Sequence, residues 1–242
     1  MCYSVKSEKF KDLQTDILRL QGFNSISANS ADVGLGFMFD SFPNGTFPIG
    51  AVHEFLAKEK EDTAATNGFI AGILLSLMKS SGTTIWISSN RILFPPALKS
   101  FGVEPHQFIF IDLKKESDVL WAMDEALKCD AISAVVGEMS ELDFTSSRRL
   151  QLAVEKSNAT GFVIRKNYKK VNTTACVSRW KVTPSASESS NLPGVGFPKW
   201  KVELLRMRNG KSGTWNLEWR EKRFVPEFTQ TSPLFVQQKI AV

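Results

Sequence analysis

The chain of 242 residues is long enough for one α/β domain with a full hydrophobic core, and its 43% hydrophobic and 23% charged residues exclude a fibrous or wholly disordered protein. The three cysteines form no C-x-x-C pair and only two histidines are present, so neither a disulfide framework nor a metal site is expected. The charged N-terminus and the shortness of the longest apolar run, residues 68–78, predict a cytoplasmic protein without a membrane span.

The net charge of +5 is unevenly distributed along the chain. Residues 1–145 carry 12 lysines and arginines against 19 acidic residues, a net charge of −7, whereas residues 146–223 carry 17 against 5, a net charge of +12. A basic half indicates a polyanionic partner, nucleic acid first. A solvated surface whose lysines confer solubility would explain the same asymmetry.

The first two thirds of the chain alternate strands with helices. Apolar spacing predicts a short helix over 9–21, and the later patterns predict strands at 51–56, 83–88, 107–113, 131–137 and 160–166, with helices at 66–79, 96–102, 116–128 and 146–157. Continuous apolar strands between helices are typical of a mostly parallel sheet that is covered on both faces.

After residue 172 the helices stop. Strands are predicted at 175–182, 199–208 and 213–224, with Asn209-Gly210 in the turn between the last two, so the parallel sheet should end in an antiparallel extension. A Ser/Pro/Gly-rich loop over 183–198 separates two of these strands. The predicted organisation is an N-terminal helix and connector over 1–30, a core domain over 31–225 and a tail over 226–242.

The segment KEKEDTAATN, residues 58–67, is predicted to be a loop in the place of a phosphate-binding turn between strand and helix. Such a turn needs glycines whose backbone N–H groups surround the phosphates, a lysine, and a hydroxyl that holds Mg²⁺. Lys58, Lys60 and Thr63 do not supply these groups in the required order, and three carboxylates would repel a triphosphate. The sequence therefore predicts no nucleotide cofactor; an anion held by Lys58 or Lys60 with Thr63 nearby is the alternative.

The ends of the other parallel strands offer little catalytic chemistry. Asn90 follows the second strand without a carboxylate that could activate water, and Gly137 ends the fourth strand without an aspartate that could hold a metal. Glu138 is the one acid in reach there. No hydrolase or paired-carboxylate motif appears, so the protein is not expected to be an enzyme.

Basic residues form the candidate binding sites. The loop RKNYKK could contact phosphates and stack a base through Arg165, Lys166, Tyr168, Lys169 and Lys170, although a solvated loop is slightly favoured over this binding site. Arg148 and Arg149 are predicted to open a helix after the cap candidates Thr145 and Ser146, where cations oppose the helix dipole. We therefore expect them, together with Glu138, to contact acidic or basic groups on another element or on a partner; a role at the surface alone stays open.

Four stretches together resemble the ImuA family, RecA-like accessory proteins of damage-induced mutagenesis: GLGFMFDSFPNGTFPIGAVHEF, VVGEMSELDFTSSRRLQLAVEKSNATGFVIRK, SRWKV and LPGVGFPKWKVELLRMRNGKSGTWNLEW. The resemblance covers residues 34–224. It implies a RecA-like P-loop NTPase fold in which Asn90 stands in the position of the catalytic glutamate and Gly137 in that of the metal-side aspartate. The phosphate-binding loop would then be degenerate.

The family resemblance also implies a function. It points to a non-catalytic adaptor in SOS-type translesion synthesis, beside an ImuB-like polymerase-related partner, an error-prone DNA polymerase and RecA itself. Direct contact with single-stranded DNA is a further expectation. Two alternatives are a weak residual ATPase and a cell-division inhibitor similar to SulA, whose body is also a degenerate RecA-like one.

Overall fold

The computed structural model describes residues 32–78, 82–90, 92–187 and 196–227, and Leu13 within the N-terminal segment. The predicted helix over 9–21 and most of the predicted tail lie outside these residues. The described strands are β1 Val52–Ala57, β2 Thr83–Ser88, β3 Phe108–Asp112, β4 Ile132–Met139, β5 Thr160–Lys166, β6 Ser178–Ser185, β7 Lys199–Met207, β8 Gly213–Arg220 and β9 Arg223–Pro226. The described helices are α1 Lys60–Leu77, α2 Glu116–Ala126 and α3 Phe144–Ser157.

All nine described strands join one sheet in the order β3-β2-β4-β5-β1-β6-β7-β8-β9. The six strands from β3 to β6 run parallel, and β7, β8 and β9 continue the sheet in antiparallel fashion. The predicted α/β class, with its mostly parallel sheet and antiparallel C-terminal strands, is confirmed. Among the described residues, no helix combines the length and the apolar character that a membrane span requires.

The sheet has a helix layer on each face of its parallel part. On one face α1 buries Phe69, which packs with Phe55 of β1 and Trp180 of β6. On the other face α2 and α3 bury a second cluster that includes Val119 and Leu150. This second face is helix-covered over β1, β2, β4 and β5, because α2 and α3 pack on those strands.

Three tryptophans of the C-terminal strands, Trp180, Trp200 and Trp219, belong to the core. Trp180 stacks on Phe55 with ring centroids 6.1 Å apart, and Trp219 meets Phe224 of β9 edge-on at 4.8 Å. Aromatic pairs at these separations add to the stabilisation that burial alone provides. Gly72 lets α1 approach this cluster closely, because a Cβ atom at that position would lie 2.5 Å from the Phe224 ring.

Two predicted elements in this part of the fold differ from the observed ones. The segment Pro95–Phe101 is a 3₁₀ helix rather than an α-helix, and it ends at Gly102 in the left-handed conformation. The predicted single strand over 213–224 is instead a hairpin of β8 and β9. Its two-residue turn, Glu221-Lys222, has φ angles of 52° and 58°, and two positive φ angles match the right-handed twist of a tight hairpin.

Candidate functional site

The carboxyl ends of β1, β2, β4 and β5 lie side by side at one edge of the sheet, because the paired strands run parallel. We call this edge, with the segments that follow each strand there, the carboxyl edge. Ligands of parallel α/β sheets bind at this edge. It therefore holds the residues in which the sequence placed the candidate chemistry.

The connection from β1 to α1 is only two residues long, so the predicted loop over 58–67 is corrected: most of it is the first part of α1. Glu59 is the N-cap, and its carboxylate accepts a hydrogen bond from the backbone N–H of Asp62. In return, the Glu59 N–H donates to Asp62 Oδ2 at 3.3 Å. The capping box thus brings the chain's own carboxylates to the helix N-terminus, where a phosphate-binding loop would bring a phosphate.

The other candidate residues of the phosphate-binding turn are two lysines, which face solvent, and Thr63, which bonds within α1. Lys58 and Lys60 are exposed. Thr63 is buried, and its hydroxyl donates to the backbone oxygen of Glu59 at 3.1 Å. The Thr63 hydroxyl is therefore engaged within α1 and is not directed at a ligand beyond the helix N-terminus.

Glu138 lies within β4, before the strand ends, and is only 1% exposed. Its Oε1 accepts a hydrogen bond from Trp86 Nε1 at 2.7 Å, and its Oε2 accepts one from Lys166 Nζ at 2.5 Å. Both oxygens thus have internal partners, as a buried carboxylate requires. Because Glu138 is buried, the expectation that it contacts a partner protein is wrong. Lys166 is likewise paired within the fold through its hydrogen bond to Glu138.

Arg165 is completely buried, which corrects its assignment as a phosphate contact. Its Nη1 donates to Glu54 Oε1 and to Asn172 Oδ1, each at 2.9 Å, and its Nη2 donates to the backbone oxygen of Lys170 at 2.9 Å. The second oxygen of Glu54 accepts from Arg179 Nε at 2.8 Å. A buried ion pair needs such additional hydrogen bonds to offset its desolvation.

This network fixes residues 167–177, which we call the crossing segment because they lead from β5 over β1 to β6. The crossing segment has no helix of its own, and Thr174 within it donates to Glu54 Oε2 at 2.8 Å. Sequence reasoning missed this role of Arg165. The sequence did contain an indication of it. Glu54 is a carboxylate in the otherwise apolar strand β1, and a buried carboxylate requires a cation as its partner.

The exposed part of the predicted RKNYKK site is therefore smaller than expected. Lys169 and Lys170 are exposed, whereas Tyr168 is half-buried, with Arg165 Cζ 5.7 Å from its ring centroid. The structure keeps the two lysines together at the carboxyl edge and separates them from Arg165 and Lys166. Contact of these lysines with nucleic acid stays a prediction.

The two arginines of α3 have different surroundings. Asp143, not Thr145 or Ser146, caps α3 by accepting a hydrogen bond from the Ser146 N–H at 2.6 Å, so both arginines lie beyond the first turn. Arg149 Nη2 lies 3.1 Å from Asp124 Oδ2 of α2, which confirms the expected pairing with an acidic group on another element. Arg148 is exposed.

Apolar side chains at the carboxyl edge were not singled out from the sequence. Ile92 and Phe94, which follow β2, are 65% and 67% exposed, and Phe144 and Val171 follow β4 and β5 with 55% and 50% exposure. The sequence could have indicated them, because they are apolar residues that come shortly after the ends of predicted strands. Apolar groups grouped at one exposed edge are typical of surfaces that bind other proteins.

Two titratable groups are buried away from this edge. Burial lowers the pKa of His53 from 6.5 to about 4, and its Nε2 donates to the Pro48 carbonyl at 2.7 Å. Burial also raises the pKa of the Cys176 thiol to about 12. In the described part of the chain, no group of three or more His, Cys, Asp or Glu residues could hold a metal ion.

Comparison with known proteins decides the family. No protein-family profile matches the chain. Protein ImuA of Caulobacter vibrioides strain NA1000 is 33% identical over 193 residues, which cover 74% of this chain and 79% of that protein. The chain belongs to the ImuA family. ImuA of a second strain, ATCC 19089, matches equally well.

This ImuA-family chain also matches cell division inhibitors over a shorter span. SulA of Serratia marcescens is 26% identical over 116 residues, 48% of this chain and 68% of that protein. SulA of Photorhabdus laumondii is 31% identical over 97 residues, 38% of this chain and 55% of that protein. The ImuA match thus covers a much larger part of the chain than either SulA match.

Proposed function

We propose that this ImuA-family protein is a non-catalytic adaptor of damage-induced, SOS-type mutagenesis, built on a RecA-like core with a degenerate phosphate loop. In this proposal it acts in translesion synthesis through contacts with an ImuB-like partner, with RecA and with an error-prone DNA polymerase. The family assignment supports the biological process. The capping of α1 by Glu59 and Asp62 is the single observation that carries the non-catalytic part.

The physical argument concerns the first turn of α1. A helix N-terminus binds a phosphate because its N–H groups and dipole stabilise negative charge. Here Glu59 and Asp62 form hydrogen bonds to these backbone groups, and Glu61 adds a third carboxylate to the same turn. A triphosphate would have to displace the capping bonds and approach three negative charges, while the buried Thr63 hydroxyl offers no ligand for Mg²⁺.

The adaptor role is supported by the surface of the carboxyl edge. Ile92, Phe94, Phe144 and Val171 expose apolar area there, next to the lysines of the crossing segment. Aromatic and aliphatic anchors inside a polar rim are the usual composition of a protein–protein contact. We therefore place the ImuB-like partner at this edge of the sheet.

Calorimetry with ATP and Mg²⁺ tests the non-catalytic part. We expect no binding heat at millimolar nucleotide, either for the wild type or for the variants Lys58→Ala and Lys60→Ala. Wild-type affinity that one of these variants removes would establish the alternative, a residual ATPase. ATP hydrolysis measured in parallel would distinguish binding from turnover.

Pull-downs with a purified ImuB-type partner and with RecA filaments test the adaptor role. The double variant Ile92→Ser/Phe94→Ser should lose the ImuB-type partner. Phe39→Ser is the matched control, because Phe39 is 58% exposed but lies in the segment before β1, near the turn that joins β7 to β8. Wild-type protein that binds neither partner would refute the adaptor role.

The SulA matches favour cell-division inhibition as a second candidate function. An inhibitor of division should make cells filament when the protein is overproduced. Normal division at high expression, combined with retention of the ImuB-type partner in the pull-down, would remove this candidate.

A further inference from the structure

Two arginines donate hydrogen bonds to the crossing segment, and a third arginine lies on the turn of α3 that bonds to the same segment. Arg208 Nη2 donates to the backbone oxygen of Ala175 at 2.5 Å, and the Ala175 N–H donates to Ser147 Oγ at 2.8 Å. Ser147 is the neighbour of Arg148 on α3. One residue of the crossing segment thus links the side chain of Arg208 to the turn of α3 that carries Arg148.

Arg206 completes this cluster, which we call the arginine cluster: Arg148, Arg206 and Arg208. Its Nη2 donates to the backbone oxygens of Thr174 and Cys176, at 3.0 Å and 2.8 Å, on either side of Ala175. All described hydrogen bonds of Arg206 and Arg208 use Nη2 alone. A guanidinium group carries five N–H donors. Arg206 Nε is buried without a hydrogen-bond partner, which leaves Nη1 of each arginine outside the described hydrogen bonds.

The cluster carries an excess of positive charge. Burial lowers the pKa of Arg208, and repulsion from Arg206 and Arg148 lowers it further. Cys176 and Glu155 of α3 act in the opposite direction and raise the pKa of Arg208. Like charges held at close range are costly unless an anion neutralises them.

The sheet beside the cluster carries charges of both signs on one face, because Lys201 Nζ lies 3.4 Å from Glu203 Oε1 there. In β6 and β7 alternate residues are buried against α1, and the residues between them, Lys181 and Lys201 among them, point to the opposite face. On that face α3 packs on β1 and β5 instead of on the antiparallel strands. Leu205, 44% exposed, is the large apolar side chain of β7 there.

We propose that the arginine cluster binds the phosphate groups of a nucleic acid backbone, which runs from α3 along the outward face of β6 and β7. Guanidinium groups bind phosphate oxygens in bidentate fashion. The polar character of this face, next to three arginines, fits a nucleic acid better than a protein partner, because protein interfaces have an apolar core. The site uses none of the four apolar side chains assigned to the ImuB-like partner and does not depend on the adaptor role.

Fluorescence anisotropy with a labelled oligonucleotide, single-stranded and as a duplex, tests the site. Arg148→Gln should weaken binding about threefold to tenfold and reduce the slope of log affinity against log salt by about 0.7 for a single strand. Arg208→Gln should act in the same way. Arg223→Gln is the matched control, because it removes the same charge from an exposed side chain in β9 and should leave both quantities unchanged.

The decisive variant is Arg148→Gln, because Arg148 is exposed and its loss should not disturb folding, which circular dichroism checks. Wild-type protein that binds neither oligonucleotide would overturn the proposal, as would unchanged affinity and slope in Arg148→Gln. The same measurement with labelled polyglutamate tests whether the cluster binds an acidic protein instead of a nucleic acid. If it binds as tightly as DNA and with the same dependence on Arg148, the cluster recognises acidic protein and the nucleic acid assignment is wrong.

Discussion

Arg165 and Glu54 form an ion pair in the middle of the sheet, with 2.9 Å between Arg165 Nη1 and Glu54 Oε1 and neither side chain exposed to solvent. Their positions are 111 residues apart in the chain. The pair connects β5 to β1 and, through Asn172 and Thr174, connects both to the crossing segment. Removing one partner would leave a buried charge without compensation.

Arg165→Ala should therefore lower the free energy of unfolding by about 3–5 kcal/mol. Urea unfolding, followed by tryptophan fluorescence, measures the change. Lys170→Ala is the control, because its exposed side chain should contribute no more than about 0.5 kcal/mol. Near-wild-type stability of Arg165→Ala would contradict the role assigned to the ion pair.

The α1 capping box makes a prediction of its own. Glu59→Ala should lower the free energy of unfolding by about 1 kcal/mol, because the backbone N–H groups of the first turn lose their acceptor. Glu61→Ala is the matched control in the same turn. It removes a charge that interacts favourably with the helix dipole but leaves the capping hydrogen bonds in place, so it should lower the free energy of unfolding by less, about 0.5 kcal/mol. Equal losses in thermal unfolding would show that the capping geometry is unimportant.

His53 should make stability depend on pH. Its pKa is about 4 in the folded protein, against 6.5 ordinarily, so between these values the unfolded chain binds more protons than the folded one. Stability should consequently fall as the pH is lowered from about 6.5 to about 4, by up to roughly 3 kcal/mol. His53→Gln should show a shallower decline in this window in urea unfolding; parallel curves for the two proteins would contradict the assignment.

The two cysteines of the described core should differ in reactivity. Burial raises the pKa of Cys176 to about 12, so its reactive thiolate is scarce at neutral pH, whereas Cys129 is exposed. Iodoacetamide followed by peptide mass spectrometry should label Cys129 in the native protein and Cys176 only in urea. Rapid native labelling of Cys176 would show that the crossing segment opens readily.

Lys169 and Lys170 remain the exposed part of the predicted RKNYKK contact. If they contact single-stranded DNA, Lys169→Glu/Lys170→Glu should flatten the salt slope of binding by about 0.7 for each lost phosphate contact. Lys114→Glu/Lys115→Glu is the matched control, an exposed lysine pair between β3 and α2. An unchanged slope in the first variant would remove the crossing segment from the nucleic acid interface.

The alternation of apolar segments was sufficient to predict the parallel strands and the antiparallel end of the sheet. Predictions failed where two local patterns compete. Residues 60–65 read as a charged loop, yet Glu59 and Asp62 at a spacing of three form a capping box and start α1 early. Residues 213–224 read as one strand, because Glu221-Lys222 lacks the glycine or asparagine typical of a tight turn.

By itself, the sequence determined the order of most strands and helices, because local periodicity and residue type decide this property. The tertiary structure decided which charges face solvent. Arg165 and Glu138 are buried with partners, whereas Arg148 is exposed and Arg206 and Arg208 donate hydrogen bonds to the crossing segment. Burial and charge pairing depend on residues far apart in the chain, and the cost of desolvating a charge is settled only when the sheet brings those residues together.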